Sequence, residues 1–254
     1  MPIKQVPLSV LKRRLLKGKY GGIVSSKFND DCKRIQKGEP IEYIVGSEKF
    51  CGYPIGLSYR PFIPSPHTEW WVKRAAKRIA KETVPLCVLD IFSGSGCIGI
   101  ALLKTYPKQI AHLDFAEKYK DFCNQIGLNC RKNKISSSKY TIIQSNIFKK
   151  VVKTYDYIFA VPPYVSKINI RFVSKSALTY QPKAALLGGS DGLFYIRVFL
   201  KQAGKYLTKK GIIFMEYEPR QRSAVDILIK RFGYTKHIFH KDMFGMYGWV
   251  EIHL

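Results

Sequence analysis

The alternation of two kinds of segment is the feature that most constrains the fold of this chain. From residue 87 onward, short runs rich in β-branched and aromatic residues alternate with helical patterns. Strands that are joined through helices lie parallel in a sheet with helices on both faces, so the pattern predicts an α/β fold with a doubly wound sheet. The predicted strands cover residues 87–91, 109–114, 140–144, 156–160, 211–216, 234–240 and 249–254, and the predicted helices cover residues 97–105, 116–133, 192–207 and 221–231.

The last connection distinguishes the end of the sheet from the rest. Only residues 241–248 separate the final two predicted strands, whereas a parallel crossover needs about a dozen residues or more. We therefore expect these two strands to form an antiparallel hairpin, which makes a seven-stranded sheet with an antiparallel last strand.

A different pattern precedes residue 87. A basic amphipathic stretch is followed by a second helical stretch near residues 30–37 and by residues 42–50 and 53–58, which are predicted to form a hairpin. We therefore predict a small N-terminal region of helices and hairpin over residues 1–58, followed by the main domain over residues 59–254.

The charge balance bears on the partners of the chain. The sequence has 43 lysines and arginines against 18 aspartates and glutamates, a formal net charge of +25. Such an excess favours contact with polyanions, including RNA, DNA and the ribosome. A lysine-rich proteome would produce the same excess, because the lysines are spread along the whole chain, and both explanations stay open.

Several classes of protein are disfavoured by the spacing of particular residues. The six cysteines form no Cys-x-x-Cys pair and the five histidines are scattered, so we predict no metal site. The longest uncharged stretch, residues 91–103, is shorter than the roughly 20 apolar residues of a membrane span. Charged residues 12–14 interrupt the only N-terminal apolar stretch, which argues against a secretory signal. We expect a cytoplasmic protein, with a mitochondrial one as the alternative.

A glycine-rich turn follows the first strand of the main domain. Asp90 lies on this strand, and Gly94, Ser95 and Gly96 follow it at the start of a helix. Such a turn lets the backbone approach a ligand closely and directs free N–H groups toward it. Asp114, 18 residues after Gly96 and at the end of the next predicted strand, is a candidate acceptor for both hydroxyls of a ribose.

The position of Asp90 bears on the kind of cofactor. A carboxylate just ahead of the turn would repel a pyrophosphate and attract an ammonium or sulfonium group. The turn therefore favours S-adenosylmethionine over a dinucleotide. The alternative is a tight turn that packs helix on strand and binds nothing.

A stiff loop follows the fourth strand of the main domain. Val161, Pro162, Pro163 and Tyr164 come directly after that strand, and each proline restricts both its own backbone and that of the preceding residue. The loop is expected beside the glycine-rich turn, where a doubly wound sheet opens its ligand crevice. A loop of this kind can also be a simple connector.

These motifs occur in the order typical of one family. The segment 63–69 (IPSPHTE), the loop 90–99, the tetrapeptide 161–164 (VPPY) and the segment 181–192 (QPKAALLGGSDG) follow one another along the chain. In this combination the sequence resembles the release-factor glutamine methyltransferases of HemK/PrmC type over nearly its full length. The resemblance implies a Rossmann-like class I S-adenosylmethionine-dependent methyltransferase fold behind a small substrate-binding region.

The resemblance also implies a reaction and its site residues. Members of this family transfer a methyl group from S-adenosylmethionine, which leaves S-adenosylhomocysteine, to the glutamine amide in the Gly-Gly-Gln loop of a peptide-chain release factor. The implied catalytic residues are Val161, Pro162, Pro163 and Tyr164. The implied cofactor-binding residues are Thr68, Asp90, Phe92, Ser93, Gly94, Ser95, Gly96, Asp114, Phe115, Asn146 and Ile147.

One departure from the family falls on the implied catalytic loop. Val161 stands where the family has an asparagine, whose carbonyl, together with the backbone carbonyl of the first proline, accepts hydrogen bonds from the target amide while the tyrosine forms a wall. Valine has no acceptor, and loss of one buried hydrogen bond costs about 1–3 kcal/mol. We therefore expect slowed transfer.

Milder departures lie elsewhere. Phe92 replaces a glycine, Asn146 replaces an aspartate, and Ser65 and His67 replace an arginine and an acidic residue.

Two alternatives to a release-factor glutamine methyltransferase stay open. One is an inactive relative that binds the cofactor and a release factor or ribosome. The other is a nucleic-acid adenine N6-methyltransferase, since such enzymes hold an exocyclic amino group in a similar loop. We expect a monomer.

Overall fold

The structure is a computed structural model that describes residues 6–254. The first five residues of the predicted N-terminal region lie outside this range. The helices are α1 (Leu8–Tyr20), α2 (Ser26–Gln36), α3 (Ile41–Val45), α4 (Pro66–Ala75), α5 (Cys97–Thr105), α6 (Lys120–Lys132), α7 (Lys175–Tyr180), α8 (Lys183–Leu186), α9 (Phe194–Ala203) and α10 (Arg222–Arg231). The strands are β1 (Ser47–Phe50), β2 (Tyr53–Gly56), β3 (Leu86–Ile91), β4 (Ile110–Glu117), β5 (Tyr140–Gln144), β6 (Tyr155–Ala160), β7 (Leu207–Glu216), β8 (Lys236–Lys241) and β9 (Tyr247–His253).

The main sheet has the predicted seven strands, in the order β5-β4-β3-β6-β7-β9-β8. The pairs from β5 to β7 are parallel, whereas β9 is antiparallel to both β7 and β8. The α/β Rossmann-like fold with an antiparallel last strand is therefore confirmed. The strand order reverses between β3 and β6, and a doubly wound sheet opens its ligand crevice at the carboxyl ends of the strands beside such a point.

Both faces of the sheet are covered, as the alternation of strands and helices predicted. Side chains alternate along each strand, so Val88 and Phe159 enter one core while Leu89 and Ile158 enter the other. All four are fully buried. Within residues 6–254, no helix combines the length and the apolar character that a membrane span requires.

The N-terminal elements divide between two cores. Leu15 of α1, Phe28 of α2 and Ile44 of α3 belong to a small separate core. Phe50 and Ile55 of the β1–β2 hairpin instead join the core on one face of the main sheet. The hairpin is therefore attached to the sheet by burial, and the boundary after residue 58 stays a prediction.

Several predicted boundaries were wrong. Residues 41–45, most of which were predicted as strand, form the short helix α3. The helix predicted from residue 116 begins at Lys120, because Ala116 and Glu117 extend β4 and pair with β5. The helix predicted to residue 207 ends at Ala203, and β7 already begins at Leu207. In each case, pairing or a local turn outweighs the pattern of apolar residues.

A buried amide on α6 ties the hairpin to the glycine-rich loop after β3. The Asn129 carboxamide accepts a hydrogen bond from the backbone N of Gly56 at 2.7 Å. It donates to the carbonyl oxygens of Gly56, at 3.1 Å, and of Ser95, at 2.9 Å. Buried backbone groups need such partners, since water does not reach them. Asn129 therefore fixes the loop against both the helix and the hairpin.

Replacing this amide is expected to destabilise the protein. Asn129→Ala leaves two buried carbonyls and one buried N–H without their partner, which we expect to lower the free energy of unfolding by about 2–4 kcal/mol. Asn124→Ala, at an exposed position of the same helix, should change it by less than about 0.5 kcal/mol. Urea unfolding of both variants measures the difference, and equal stabilities would contradict the role assigned to Asn129.

Candidate active site

A cavity of about 350 Å³ opens at the carboxyl edge of the main sheet, a size within the usual range for small-molecule sites. The loops after β3, β5 and β6, the end of β4 and the start of α4 form its walls. The sequence-predicted residues that line it are Thr68, Phe92, Ser93, Gly94, Ser95, Asn146, Ile147, Val161, Pro162, Pro163 and Tyr164. The structure therefore brings together the two loops that carry the motifs.

Four of the expected site residues do not line this cavity: Asp90, Gly96, Asp114 and Phe115. Phe115 is fully buried in the core on one face of the sheet. Asp90 faces the start of α5, where its carboxylate accepts a hydrogen bond from the Gly99 backbone N at 2.9 Å. Burial raises the pKa of Asp90 to about 8, against the opposing effect of that hydrogen bond.

Asp114 is turned away from the cavity because β4 continues past it. The carboxylate of Asp114 accepts a hydrogen bond from the Tyr155 hydroxyl at 2.8 Å and lies 3.1 Å from Lys153 Nζ. The strand ends at Glu117, three residues later. Since side chains alternate along a strand, positions 114 and 117 fall on opposite faces. Of the two carboxylates, Glu117 and not Asp114 therefore stands at the end of the strand, and the ribose-binding role of Asp114 stays a prediction.

Glu117 occupies the place that was expected for Asp114. Its side chain lines the cavity and accepts hydrogen bonds from the backbone N atoms of Gly94 and Tyr119, both at 2.9 Å. Burial raises the pKa of Glu117, and these backbone hydrogen bonds oppose the rise. Each carboxylate oxygen retains a lone pair, so Glu117 can accept two further hydroxyl groups. The signal in the sequence was the second acidic residue at the strand end, after Asp114.

Two lining residues have backbones in the left-handed region. Phe92 has a φ of +60°, and Ile147 has a φ of +53°. This conformation is unfavourable for side chains with a Cβ, above all for a β-branched one such as isoleucine. Strain of this kind persists where surrounding structure determines it, and it concentrates at functional sites.

The loop after β6 is held from outside by the glycine-containing segment 188–192. Any side chain at Gly188 would overlap the Pro163 carbonyl oxygen, and one at Gly192 would overlap the Tyr164 carbonyl oxygen. The Tyr164 carbonyl also accepts a hydrogen bond from Gln221 Nε2 at 3.0 Å. The close backbone approach explains why a motif far along the chain accompanies the VPPY loop: it fixes that loop at the cavity.

Glu216 at the end of β7 was missed by the sequence analysis. It lines the cavity, is 2% exposed, and accepts hydrogen bonds from Thr68 Oγ1 at 2.7 Å, Trp71 Nε1 at 2.6 Å and the Tyr164 hydroxyl at 2.8 Å. Burial alone would raise the pKa of Glu216, but His67 and these neighbours lower it. An acidic residue at the end of a predicted strand was the available signal.

The donor set of the cavity fits an adenosine-containing cofactor. A buried carboxylate at a strand end, Glu117, stands beside a glycine-rich loop, and Asn146 supplies an amide. Tyr119, Phe122 and Tyr195 add aromatic surface. Carboxylates accept paired hydroxyls, and aromatic and aliphatic walls suit the face of a purine. Within residues 6–254 there is no group of three or more His, Cys, Asp or Glu residues that could hold a metal ion.

Comparison with known proteins places these features in a family. The profile of the family described as "Methyltransferase small domain" matches residues 76–196. A release factor glutamine methyltransferase of Thermodesulfovibrio yellowstonii is 33% identical over 218 residues, which cover 84% of this chain and 76% of that protein. Another release factor glutamine methyltransferase, from Borreliella burgdorferi, is 33% identical over 215 residues, which cover 84% of this chain and 73% of that protein.

Solved structures confirm the fold at lower identity. The ribosomal protein L11 methylase of Lactobacillus delbrueckii subsp. bulgaricus superposes with a TM-score of 0.52 at 13% sequence identity. The matched region covers 76% of this chain and 79% of the methylase chain. The protein SMU.776, solved in complex with SAH, superposes with a TM-score of 0.53 at 12% sequence identity. The matched region covers 82% of this chain and 55% of the SMU.776 chain.

The contact between Gly192 and the Tyr164 loop has a measurable consequence. Gly192 has a φ of +76°, so Gly192→Ala adds both backbone strain and overlap with the Tyr164 carbonyl; we expect a loss of about 2–4 kcal/mol in the free energy of unfolding. Gly233→Ala is the matched control, because Gly233 has a φ of +82° and no neighbouring atom within 4 Å. It should cost only the backbone strain, about 1 kcal/mol. Equal losses in thermal unfolding would show that the close approach is unimportant.

Proposed function

The chain belongs to the release factor glutamine methyltransferase family, and we propose that it methylates the side-chain amide of the glutamine in the Gly-Gly-Gln loop of a peptide-chain release factor. The observation that carries this proposal is the shared cavity. The stiff VPPY loop and the glycine-rich loop with Glu117 open into the same space. A methyl donor and an acceptor amide can therefore meet there.

S-adenosylmethionine is the cofactor of this methyltransferase, and when bound it supplies a methyl group made electrophilic by the positive sulfonium. Glu117 would accept hydrogen bonds from the ribose hydroxyls, and Gly94 and Ser95, which also line the cavity, would hold the cofactor with their backbone. Asn146, which also lines the cavity, would accept or donate at the edge of the base, since its amide carries both kinds of group. Phe92 and Ile147 add apolar surface at the same wall.

The residues of the VPPY loop form a slot for the substrate amide. An amide nitrogen is a poor nucleophile because its lone pair is delocalised, so the orientation of its two hydrogens controls the reaction. The backbone carbonyl of Pro162 is the acceptor that remains once Val161 has replaced the family's asparagine. Pro163 keeps the loop rigid, and the ring of Tyr164 forms a wall, since its hydroxyl is already bonded to Glu216.

The apolar surroundings contribute to the chemistry. Val161 and Pro162 line the slot, and exclusion of water strengthens the remaining hydrogen bonds to the amide. The amide nitrogen would gain the methyl group that S-adenosylmethionine supplies, with S-adenosylhomocysteine as the other product, and would release one proton. The carbonyl that oriented this hydrogen is the first acceptor on its way to solvent.

The partner that we propose is a release factor, met in the cytoplasm by a monomer of this chain. The net charge of +25 would add attraction to the ribosome or to nucleic acid. Methyl transfer from radiolabelled S-adenosylmethionine, measured side by side on a release factor, RNA and DNA, tests the substrate class. Label on the release factor supports the proposal. Label on nucleic acid supports an adenine methyltransferase, and no label with intact cofactor binding supports an inactive relative.

The two carboxylates of β4 provide a test of the cofactor site. Glu117→Gln removes the charge that accepts the ribose hydroxyls, so we expect the dissociation constant of S-adenosylmethionine to rise at least about tenfold in calorimetry. Asp114→Asn is the matched control. Its side chain faces Tyr155 and Lys153 instead of the cavity, and it should change the affinity by less than about twofold. The reverse order of effects would restore Asp114 as the ribose residue.

The valine of the slot provides a test of the substrate site. Val161→Asn adds the missing side-chain acceptor and should raise the rate of methyl transfer to a Gly-Gly-Gln release factor by at least about tenfold. Cofactor affinity should stay nearly constant, because the change lies on the substrate side. A fully active wild type that the substitution leaves unchanged would mean that the Pro162 carbonyl alone suffices. It would contradict the expected role of the added amide.

A further inference from the structure

A histidine at the start of α4 bridges two buried carboxylates beside the slot. His67 Nδ1 lies 3.6 Å from Glu216 Oε1, and His67 Nε2 lies 3.0 Å from Asp242 Oδ2. Within residues 6–254, it is the only Lys, Arg or His side chain within 4.0 Å of a Glu216 oxygen. The imidazole itself is largely buried, with 18% of its side chain exposed.

Asp242 is held rigidly in the turn between β8 and β9. Its Oδ1 accepts hydrogen bonds from the backbone N atoms of Phe244 at 2.8 Å and Met246 at 2.9 Å. Its other oxygen is therefore aimed at His67 by a fixed turn. The imidazole is hydrogen-bonded through Nε2 to Asp242, and its Nδ1 then lies within ion-pair distance of Glu216.

The hydrogen bonds to Glu216 do not neutralise the negative charge of its carboxylate. Its donors Thr68, Trp71 and Tyr164 are all neutral groups. A buried carboxylate without a cation costs several kcal/mol and tends to take up a proton. A protonated Glu216 would itself become a donor and would compete with the Tyr164 hydroxyl for the same position.

We propose that His67, as an imidazolium between Glu216 and Asp242, is a positioning residue for methyl transfer: it keeps Glu216 ionised, and Glu216 then holds the Tyr164 wall of the slot. This inference rests on the proposed function for its kinetic part. It assigns a role to a residue whose imidazole lies between two buried carboxylates.

The pH dependence follows from the charges around His67. Burial alone would lower the pKa of His67, but Glu216 from β7 and Asp242 from the β8–β9 turn outweigh burial and raise it. On α4 itself, Glu69 is paired with Lys73.

Burial and the Glu216 carboxylate hold the pKa of Tyr164 well above its usual value, so the phenol stays neutral. His67 is thus charged below its raised pKa, and the support for Glu216 is lost as the pH rises through that value.

The first measurement needs no substrate. In NMR spectra of the protein alone, the His67 ring, assigned with His67→Gln, should titrate above the usual histidine midpoint of about 6.5. The Tyr164 ring, assigned with Tyr164→Phe, should shift with the same midpoint. Asp242→Asn should move both midpoints down together. Tyr164 signals that ignore the titration of His67 would overturn the proposal, whether or not the protein methylates a release factor.

The second measurement is the pH profile of kcat at saturating cofactor. Wild-type kcat should fall by about tenfold as the pH rises through the His67 midpoint, and Asp242→Asn should move that fall to lower pH. His67→Gln should have a kcat at least about tenfold lower, with no such fall and with an unchanged KM for S-adenosylmethionine. His237→Gln is the control, because His237 also pairs with an aspartate, Asp226, at 2.6 Å, whereas the histidine that pairs with Glu216 is His67.

The outcomes separate the two hypotheses. A wild type that transfers no methyl group to a release factor contradicts the proposed function, and the NMR titration then decides the role of His67 alone. An active wild type whose rate and pH profile are matched by His67→Gln contradicts the role of His67 and leaves the proposed function standing.

Discussion

The candidate site depends on the hydrogen bonds that the buried carboxylate of Glu216 accepts. Removing a carboxylate from water costs several kcal/mol unless charge and hydrogen bonds compensate it. Here Thr68 and Trp71 from α4 and Tyr164 from the VPPY loop all donate to it at 2.8 Å or less. Because these donors come from segments far apart in the sequence, a single acidic group at the end of a central strand fixes the helix and the loop to each other.

The glycines at 188 and 192 complete this arrangement from the other side. They allow the segment 188–192 to lie against the backbone of the VPPY loop, where any side chain would overlap a carbonyl oxygen. The VPPY loop is therefore held by close backbone packing on its outer side and by the hydrogen bond from the Tyr164 hydroxyl to Glu216. The cofactor side is built separately, since Glu117 is held by the backbone of the glycine-rich loop.

The sequence was sufficient for the fold because local patterns determine it. Apolar runs separated by helical stretches specify a parallel sheet, and the short connection 241–248 specifies the antiparallel end. The site was harder to predict because it depends on where strands end. Asp114 and Glu117 both follow the same apolar run, and only the pairing of β4 with β5 makes Glu117 the terminal residue. Glu216 and His67 meet across the fold, and no spacing in the sequence indicates that contact.

The most direct test of this account is the turnover of Glu216→Gln at saturating cofactor. The substitution keeps the shape of the side chain and removes the charge, so the protein should remain folded. We expect its kcat for methylation of a Gly-Gly-Gln release factor to fall at least about tenfold, because the Tyr164 wall loses its ionised acceptor. A kcat within about twofold of wild type would contradict the claim that this carboxylate organises the slot.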